Sequence, residues 1–162
     1  MNTQSILVVI LMGSSSDQPH VDKITEMLEK LQIPFDIRVS SAHKTPLRLL
    51  GIIKQYEETS TKKVYITVAG RSNALSGMVD AQVSSPVIAC PPASSSFGGA
   101  DIYSSLRMPS GVCPMVVLEP ANAALAAAKI LALAETSLTE KIQTLQTEFA
   151  EKVNQADQAI NN

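Results

Sequence analysis

Short apolar runs alternate along this 162-residue chain with segments whose apolar residues recur every three or four positions. Residues 6–12 form an uninterrupted apolar run, which is typical of a strand covered on both faces of a sheet. In residues 17–31 the apolar positions follow the helical period instead. Because strands and helices that alternate in this way build βαβ units, the pattern predicts an α/β fold with a central parallel sheet and helices on both faces.

The same alternation continues as far as residue 134. We predict further strands at 35–40, 64–69, 86–90 and 115–118, and further helices at 46–58, 74–83 and 121–134. Hydrophobic residues make up 45% of the chain, which is enough to fill one core. We therefore interpret residues 1–162 as a single domain.

The last segment predicts a helix over residues 136–160. Its apolar residues recur every three or four positions: Leu138, Ile142, Leu145, Phe149, Val153, Ala156 and Ile160. Such a helix can fold back on its own sheet, or it can pack on a neighbouring subunit. We expect the second arrangement, because the apolar stripe is narrow and the opposite face is strongly polar.

Charge and composition exclude several classes of protein. A net charge of −2 gives no basic excess for nucleic-acid phosphates, and aromatic residues at 4% offer few platforms for stacking bases. The apolar run at 6–12 is much shorter than the about 20 residues that span a membrane. We therefore expect a cytoplasmic protein with neither nucleic acid nor a membrane as partner.

Histidines and cysteines are too few and too scattered for a metal site, so we expect none. The chain has two of each, His20 and His43 and Cys90 and Cys113, and their spacing matches no common ligand motif. We predict that both cysteines are reduced thiols in the core, as in cytoplasmic proteins. We predict that His20, early in a helix and beside a proline, is a solvated surface residue.

Polar loops follow the first three strands, where the ligands of open parallel sheets bind. In the first loop, Gly13 allows a close turn, and the hydroxyls of Ser14 and Ser16 can hold an anion together with the N–H groups of a helix start. Asp17 can accept hydrogen bonds from ribose hydroxyls. This composition predicts a phosphate cradle, while ordinary helix capping by serine and aspartate is the alternative.

The second and third loops add a titratable group and two cations. His43 can take up or release a proton near neutral pH, with Lys44 beside it and Ser41 two residues before it. Arg71, in the third loop, can bind a phosphate or carboxylate through two parallel hydrogen bonds, or form a surface ion pair. The long loop at 91–99 has three possible roles: a lid, a subunit contact or a connector.

Three segments together resemble the phosphoribosylaminoimidazole carboxylase family of purine biosynthesis: 12–17 (MGSSSD), 41–46 (SAHKTP) and 108–111 (MPSG). The resemblance covers residues 6–134. It implies a flavodoxin-like three-layer α/β/α sandwich with a central parallel sheet of about five strands. It also implies a catalytic domain that forms a homo-oligomer, a tetramer or an octamer, with the C-terminal helices packed between subunits.

The third loop distinguishes two classes of that family. One class, a mutase, converts N5-carboxyaminoimidazole ribonucleotide (N5-CAIR) to 4-carboxy-5-aminoimidazole ribonucleotide (CAIR) and has a second histidine there. This chain has Gly70, Arg71, Ser72 and Asn73 instead, and Lys44 where the mutase has arginine. It therefore resembles the class that adds CO₂ directly to C4 of 5-aminoimidazole ribonucleotide (AIR) without ATP, biotin or another cofactor. The mutase reaction is the alternative.

The resemblance also implies roles for the residues of the three loops. It makes His43 the residue that transfers the proton, with Lys44 as its catalytic neighbour. The substrate-binding residues that it implies are Ser14, Ser16, Asp17, Ser41, Lys44, Gly70, Arg71, Ser72 and Asn73. The expected ligands are AIR and either CO₂ or bicarbonate.

Two other functions are compatible with the same fold. The serine-rich first loop could hold the phosphate of a flavin or a nucleotide. Such a module stacks the ring of its ligand on aromatic side chains, and only Phe97 and Tyr103 lie in suitable loops. A phospho-receiver domain has an aspartate at the end of its third strand, where this chain has Ala69 and Gly70.

Overall fold

The structure is a computed structural model and describes residues 5–161 of the chain. Its strands are β1 (Ile6–Met12), β2 (Phe35–Val39), β3 (Lys62–Val68), β4 (Val87–Ala89) and β5 (Met115–Val116). Its α-helices are α1 (Gln18–Lys30), α2 (Pro46–Glu57), α3 (Ala74–Asp80), α4 (Tyr103–Leu106), α5 (Pro120–Leu131) and α6 (Ser137–Asn161). Short 3₁₀ helices lie at Ser15–Asp17, Ser95–Phe97 and Ala100–Ile102.

Strands β1 to β5 form one parallel sheet in the order β2-β1-β3-β4-β5. All seven residues of Ile6–Met12 are buried, because helices cover both faces of the sheet. Successive side chains of a strand point to opposite faces. The even-numbered residues of β1 join a core with α1, α5 and the start of α6, and the odd-numbered ones join a core with α2 and α3. The predicted flavodoxin-like α/β/α sandwich is confirmed.

The strand order reverses between β1 and β3. The chain runs from β1 to β2 on one side of β1 and then returns to β3 on the other side. At such a switch point the connections leave toward opposite faces, so the carboxyl ends of the strands border an open crevice. The loops after β1 and β3 meet at this crevice, where the N–H of Gly13 donates a hydrogen bond of 2.9 Å to the carbonyl of Val68.

The secondary structure differs from the sequence predictions mainly at the ends of elements. β4 and β5 are shorter than the strands predicted at 86–90 and 115–118. Residues 100–106, for which the sequence predicts no element, form a 3₁₀ turn that continues into α4. A segment of seven residues is too short for an apolar periodicity to reveal it.

Helix α6 packs on the rest of the chain only along its first half. Its buried residues are Leu138, Ile142 and Leu145, and the ammonium of Lys141 donates a hydrogen bond of 3.2 Å to the carbonyl of Leu31. Further along the same stripe, Val153 is 70% exposed. The predicted stripe therefore divides into a covered and an uncovered half. Among the described residues no helix, α6 included, is long and apolar enough to cross a membrane.

The substitution Leu28→Ala tests the packing of α1 on the sheet. Leu28 is fully buried, so its truncation leaves a cavity and is expected to lower the free energy of unfolding by about 2–5 kcal/mol. Leu133→Ala is the matched control, because Leu133 is 88% exposed and its truncation should change stability by less than about 0.5 kcal/mol. Urea unfolding at one fixed protein concentration measures both variants. Equal, small effects of the two substitutions would contradict this packing.

Candidate active site

One cavity, with a volume of about 760 Å³, lies at the carboxyl ends of β1, β2 and β3. Its size is that of a pocket for a small organic ligand. Four loops line it, and the lining residues are Gly13, Ser14, Ser16, Asp17, Ser41, Ala42, His43, Lys44, Ala69, Gly70, Arg71, Ser72, Leu75, Pro92, Ala93, Ser94, Ser95 and Ser96. The structure thus brings together every site residue predicted from the sequence except Asn73.

The first loop turns closely and presents hydroxyls and N–H groups to the cavity. Ser14 caps the 3₁₀ turn, because its Oγ accepts hydrogen bonds from the backbone N–H of Ser16 at 3.2 Å and from the Ser16 hydroxyl at 2.9 Å. Asp17 precedes α1, but its carboxylate makes no capping hydrogen bond there. The capping alternative therefore describes Ser14, whereas the side chain of Asp17 caps no N–H of α1.

The carboxyl of Asp17 lies half-buried at the edge of the cavity. Burial raises its pKa above the ordinary value of 3.8, while a hydrogen bond with the backbone of Ser14 and the charge of His20 lower it. Burial is the larger effect. Burial makes the charged form of this carboxyl costly when it has no partner. Hydrogen-bond donors, such as the hydroxyls of a ligand, would stabilise the charged carboxylate.

The second loop holds His43 in a turn that Ser41 and Thr45 close. The Thr45 hydroxyl accepts a hydrogen bond from the N–H of Ser41 at 3.0 Å, and the Ser41 hydroxyl accepts one from the N–H of Lys44 at 3.2 Å. Thr45 Oγ1 also lies 3.0 Å from the hydroxyl of the buried Ser40. The sequence analysis did not identify Thr45, although a threonine directly before the proline that begins a helix is a usual turn-closing residue.

The third loop contains an unusual backbone at Arg71. Its φ is +59°, a left-handed conformation that is uncommon for residues with a side chain. The N–H of Arg71 donates a hydrogen bond of 3.1 Å to the carboxylate of Asp101. Within residues 5–161 neither Arg71 nor Lys44 belongs to an ion pair, so the surface-pair alternative for Arg71 finds no partner there.

Asn73 lies behind the cavity and stabilises helix α3. It is 3% exposed, and its side-chain oxygen accepts hydrogen bonds from the backbone N–H and the hydroxyl of Ser76, at 3.2 and 2.9 Å. Its amide nitrogen donates to the hydroxyl of Ser105 at 2.9 Å. Asn73 therefore does not line the cavity, because its amide caps α3 at Ser76 and binds Ser105.

The loop after β4 forms the fourth wall. Residues 92–96 line the cavity, whereas Phe97 is 54% exposed and Tyr103 is 67% exposed and neither lines it. No aromatic side chain belongs to the lining as far as the described residues go. A module that stacks a flavin ring therefore lacks its stacking partners in this cavity.

Two predictions about single residues are wrong. His20 is half-buried rather than solvated, and its Nε2 lies 3.3 Å from the sulfur of Cys90. Cys113 is exposed rather than buried, and its N–H donates a hydrogen bond to the carboxylate of Asp80. The prediction for Cys90 is confirmed: its thiol is free and buried, and burial raises its pKa to about 12, so that it stays protonated.

The arrangement can bind an anion and move a proton. Lys44, Arg71 and the donors of the first loop provide positive charge and N–H groups, and the imidazole of His43, which can accept or donate a proton, lines the same cavity. No cluster of three or more histidine, cysteine or acidic side chains suited to a metal occurs in the part of the chain that the structure describes.

Comparison with known proteins gives one consistent result. A family model described as AIR carboxylase matches residues 7–152. The phosphoribosylaminoimidazole carboxylase of Treponema denticola is 51% identical over 154 residues, which cover 95% of this chain and 97% of that protein. The corresponding enzyme of Archaeoglobus fulgidus is 52% identical over 97% of this chain and 86% of its own length. A crystal structure of PurE from T. denticola superposes with a TM-score of 0.94 at 50% identity and covers 97% of this chain and 99% of that one.

The environment of His20 predicts an acid-shifted titration. Burial and the charge of Lys23 lower its pKa below 6.5, against the opposing effects of Cys90, Asp17 and Glu119. The unfolded chain therefore takes up this proton first, and the stability that neutral His20 contributes is lost as the pH falls below 6.5. An NMR titration, with His20→Gln to assign the resonance, should give a midpoint below 6.5. A midpoint at or above 6.5 contradicts this environment.

Proposed function

Since this chain belongs to the AIR carboxylase family of purine biosynthesis, we propose that it carboxylates AIR at C4 with CO₂ to give CAIR. The proposed reaction needs neither ATP nor biotin. The observation that carries the proposal is the cavity that combines His43 with anion-binding loops. Such a cavity suits a ribonucleotide whose base must lose a proton during the reaction.

The loop after β3 supports direct carboxylation over the mutase reaction. It has Arg71 and Ser72 at the positions where the mutase class has a glycine-rich segment with a second histidine. The other histidine of this chain, His20, contacts Cys90 and does not line the cavity. His43 is thus the histidine available for proton transfer, and transfer of one proton is all that direct carboxylation requires.

The chemistry needs orientation more than activation. The aminoimidazole ring is enamine-like, so C4 attacks the carbon of CO₂, a C–C bond forms, and a π electron pair of CO₂ moves to oxygen to make the carboxylate. His43 then accepts the proton that C4 still carries, which restores the aromatic ring. Positioning of this kind, together with general base catalysis of about 10²–10⁴-fold, accounts for catalysis without an activated carboxyl donor.

Each loop binds a different group of the substrate. The phosphate binds the hydroxyls and N–H groups of the first loop, Ser14 and Ser16 included, and the ribose hydroxyls donate to Asp17. Ser41 and Lys44 stand beside His43 and hold the carboxylate that forms. Gly70, Arg71 and Ser72 close the opposite side. The resemblance to the family implies these roles, and every residue named for them lines the cavity.

The test of this function is a comparison of two substrates in the absence of ATP. Purified protein is given AIR with excess bicarbonate in one assay, and N5-CAIR with free CO₂ removed in the other, and CAIR formation is followed by absorbance. We expect CAIR mainly from AIR. CAIR formed mainly from N5-CAIR would identify the mutase reaction. No CAIR from either substrate, with the fold intact by circular dichroism, would refute both.

Replacing His43 by asparagine tests the proton-transfer role. The variant keeps a polar side chain of similar size but has no imidazole to accept the C4 proton, so turnover should fall by at least about 100-fold while AIR still binds. Turnover and the Kd for AIR, measured by calorimetry, separate the two effects. The control is His20→Asn, which changes the histidine outside the cavity and should keep most of the turnover. Wild-type turnover of His43→Asn rules out the role.

We further propose that the chain forms a homo-oligomer, a tetramer or an octamer, through the second half of α6. Phe149, Val153 and Ile160 continue the apolar stripe of the helix, and they are 49%, 70% and 83% exposed in the single chain. A stripe of this kind on one face of a polar helix favours burial against another copy. The same copy-to-copy contact explains why the helix extends beyond its own sheet.

The proposed compartment is the cytoplasm, and the proposed catalytic unit is the one domain that residues 1–162 form. Cys90 and Cys113 are free thiols, as in proteins of reducing compartments.

A charge on the stripe of α6 tests the oligomer. Val153→Glu places a carboxylate on the exposed apolar face and should lower the molar mass in solution measured by light scattering, since a buried unpaired charge is costly. Gln155→Glu places the same charge on the polar side of the helix and should leave the mass unchanged. A Val153→Glu protein with the mass of the wild type contradicts an interface at this stripe.

A further inference from the structure

The backbone of Arg71 is held by a segment that does not line the cavity. The carboxylate of Asp101 accepts the N–H of Arg71 at 3.1 Å, and the hydroxyl of Ser104 donates to the carbonyl of Arg71 at 3.0 Å. Both backbone polar groups of Arg71, which belong to two successive peptide units, thus bind residues 30 or more positions further along the chain. Asp101 and Ser104 are themselves connected, because the carbonyls of Arg71 and Asp101 share the one proton of the Ser104 hydroxyl, at 3.0 and 2.8 Å.

The same segment anchors the residues that follow Arg71. The N–H of Asn73 donates to the Ser104 hydroxyl at 3.0 Å, and the amide of Asn73 donates to Ser105. On the other side of the loop, Gly70 lies against Pro92, whose ring is 3.4 Å from the position a Cβ of residue 70 would take. Residues 70–73 are therefore fixed between two parts of the long connection that follows β4.

The conformation of Arg71 explains why such fixing is needed. A left-handed φ of +59° is unfavourable for any residue with a Cβ, so the loop would relax if nothing held it. Residues in this strained conformation are concentrated at functional sites, where the surrounding structure holds them. Arg71 fits this description, because it lines the cavity and its guanidinium has no carboxylate partner among residues 5–161.

We propose that Asp101 and Ser104 are positioning residues, which hold Arg71 in its left-handed conformation and so direct its guanidinium toward an anionic group of the substrate. The inference rests on the proposed function, because it takes that anion to be the phosphate or carboxylate of the nucleotide. A bidentate guanidinium contact depends strongly on direction. A displaced Arg71 is therefore expected to weaken substrate binding strongly and to affect the proton transfer at His43 only slightly.

Kinetics of the substitutions at Asp101 test this positioning. Asp101→Ala removes the acceptor for the Arg71 N–H and should raise the KM for AIR about 10-fold while kcat changes by less than about 2-fold. Asp101→Asn keeps an acceptor oxygen and should restore most of the wild-type KM. The matched control is Asp80→Ala, since Asp80 also accepts a backbone N–H, that of Cys113 at 2.7 Å, but away from the cavity. It should leave the KM unchanged.

A double-mutant cycle shows whether Asp101 acts through Arg71. Arg71→Gly removes the guanidinium and tolerates a positive φ without help. In that background Asp101→Ala should produce no further rise in KM, because nothing is left to position. The same rise in both backgrounds, or a wild-type KM for Asp101→Ala, overturns the proposal. Ser104→Ala is expected to raise the KM for AIR in the wild-type background, as Asp101→Ala does, and to produce no further rise in the Arg71→Gly background.

A crystal structure of Asp101→Ala tests the inference independently of the reaction. We expect residue 71 to leave the left-handed region and its side chain to turn away from the cavity. An unchanged φ at residue 71 overturns the positioning role, whatever the activity. If the wild type forms no CAIR from AIR, the proposed function fails, and this structural result still decides whether Asp101 holds the Arg71 backbone.

Discussion

Burial of β1 on both faces of the sheet is the constraint on which the rest of the structure depends. Ile6–Met12 has no polar side chain and no exposed residue, so it is stable only as a central strand with a partner on each side and helices above and below. Pairing with β2 and with β3 meets this need and at the same time reverses the strand order beside β1. The crevice that holds the candidate active site is thus a consequence of how one apolar strand is buried.

The site itself depends on hydrogen bonds that fix short polar loops. The Gly13 N–H binds the carbonyl of Val68, and the Ser40 N–H binds the carbonyl of Met12, so the loops are joined across the ends of neighbouring strands. Thr45 and Asp101 then close the second and third loops. Small side chains such as serine, glycine and alanine make few packing contacts that would fix the shape of a cavity. These hydrogen bonds fix its shape instead.

Much of this could be predicted from the sequence, because the signals are local. Apolar runs and helical periods predict the sheet and its helices, and the position after a strand predicts which loops share an edge. The contacts of Arg71 with Asp101 and of His20 with Cys90 join residues 30 and 70 positions apart, and no local pattern indicates them. Asn73 shows the same limit: its type suits a binding loop, but its partners Ser76 and Ser105 place it behind the cavity.

The central claim is that the three loops hold AIR with its C4 atom against His43. A crystal structure of the protein with AIR bound tests it most directly. The account predicts the phosphate on the N–H groups and hydroxyls of the 14–17 loop, and C4 within about 3.5 Å of the imidazole, close enough for proton transfer. AIR bound outside this cavity, or inside it with C4 turned away from His43, would contradict the account.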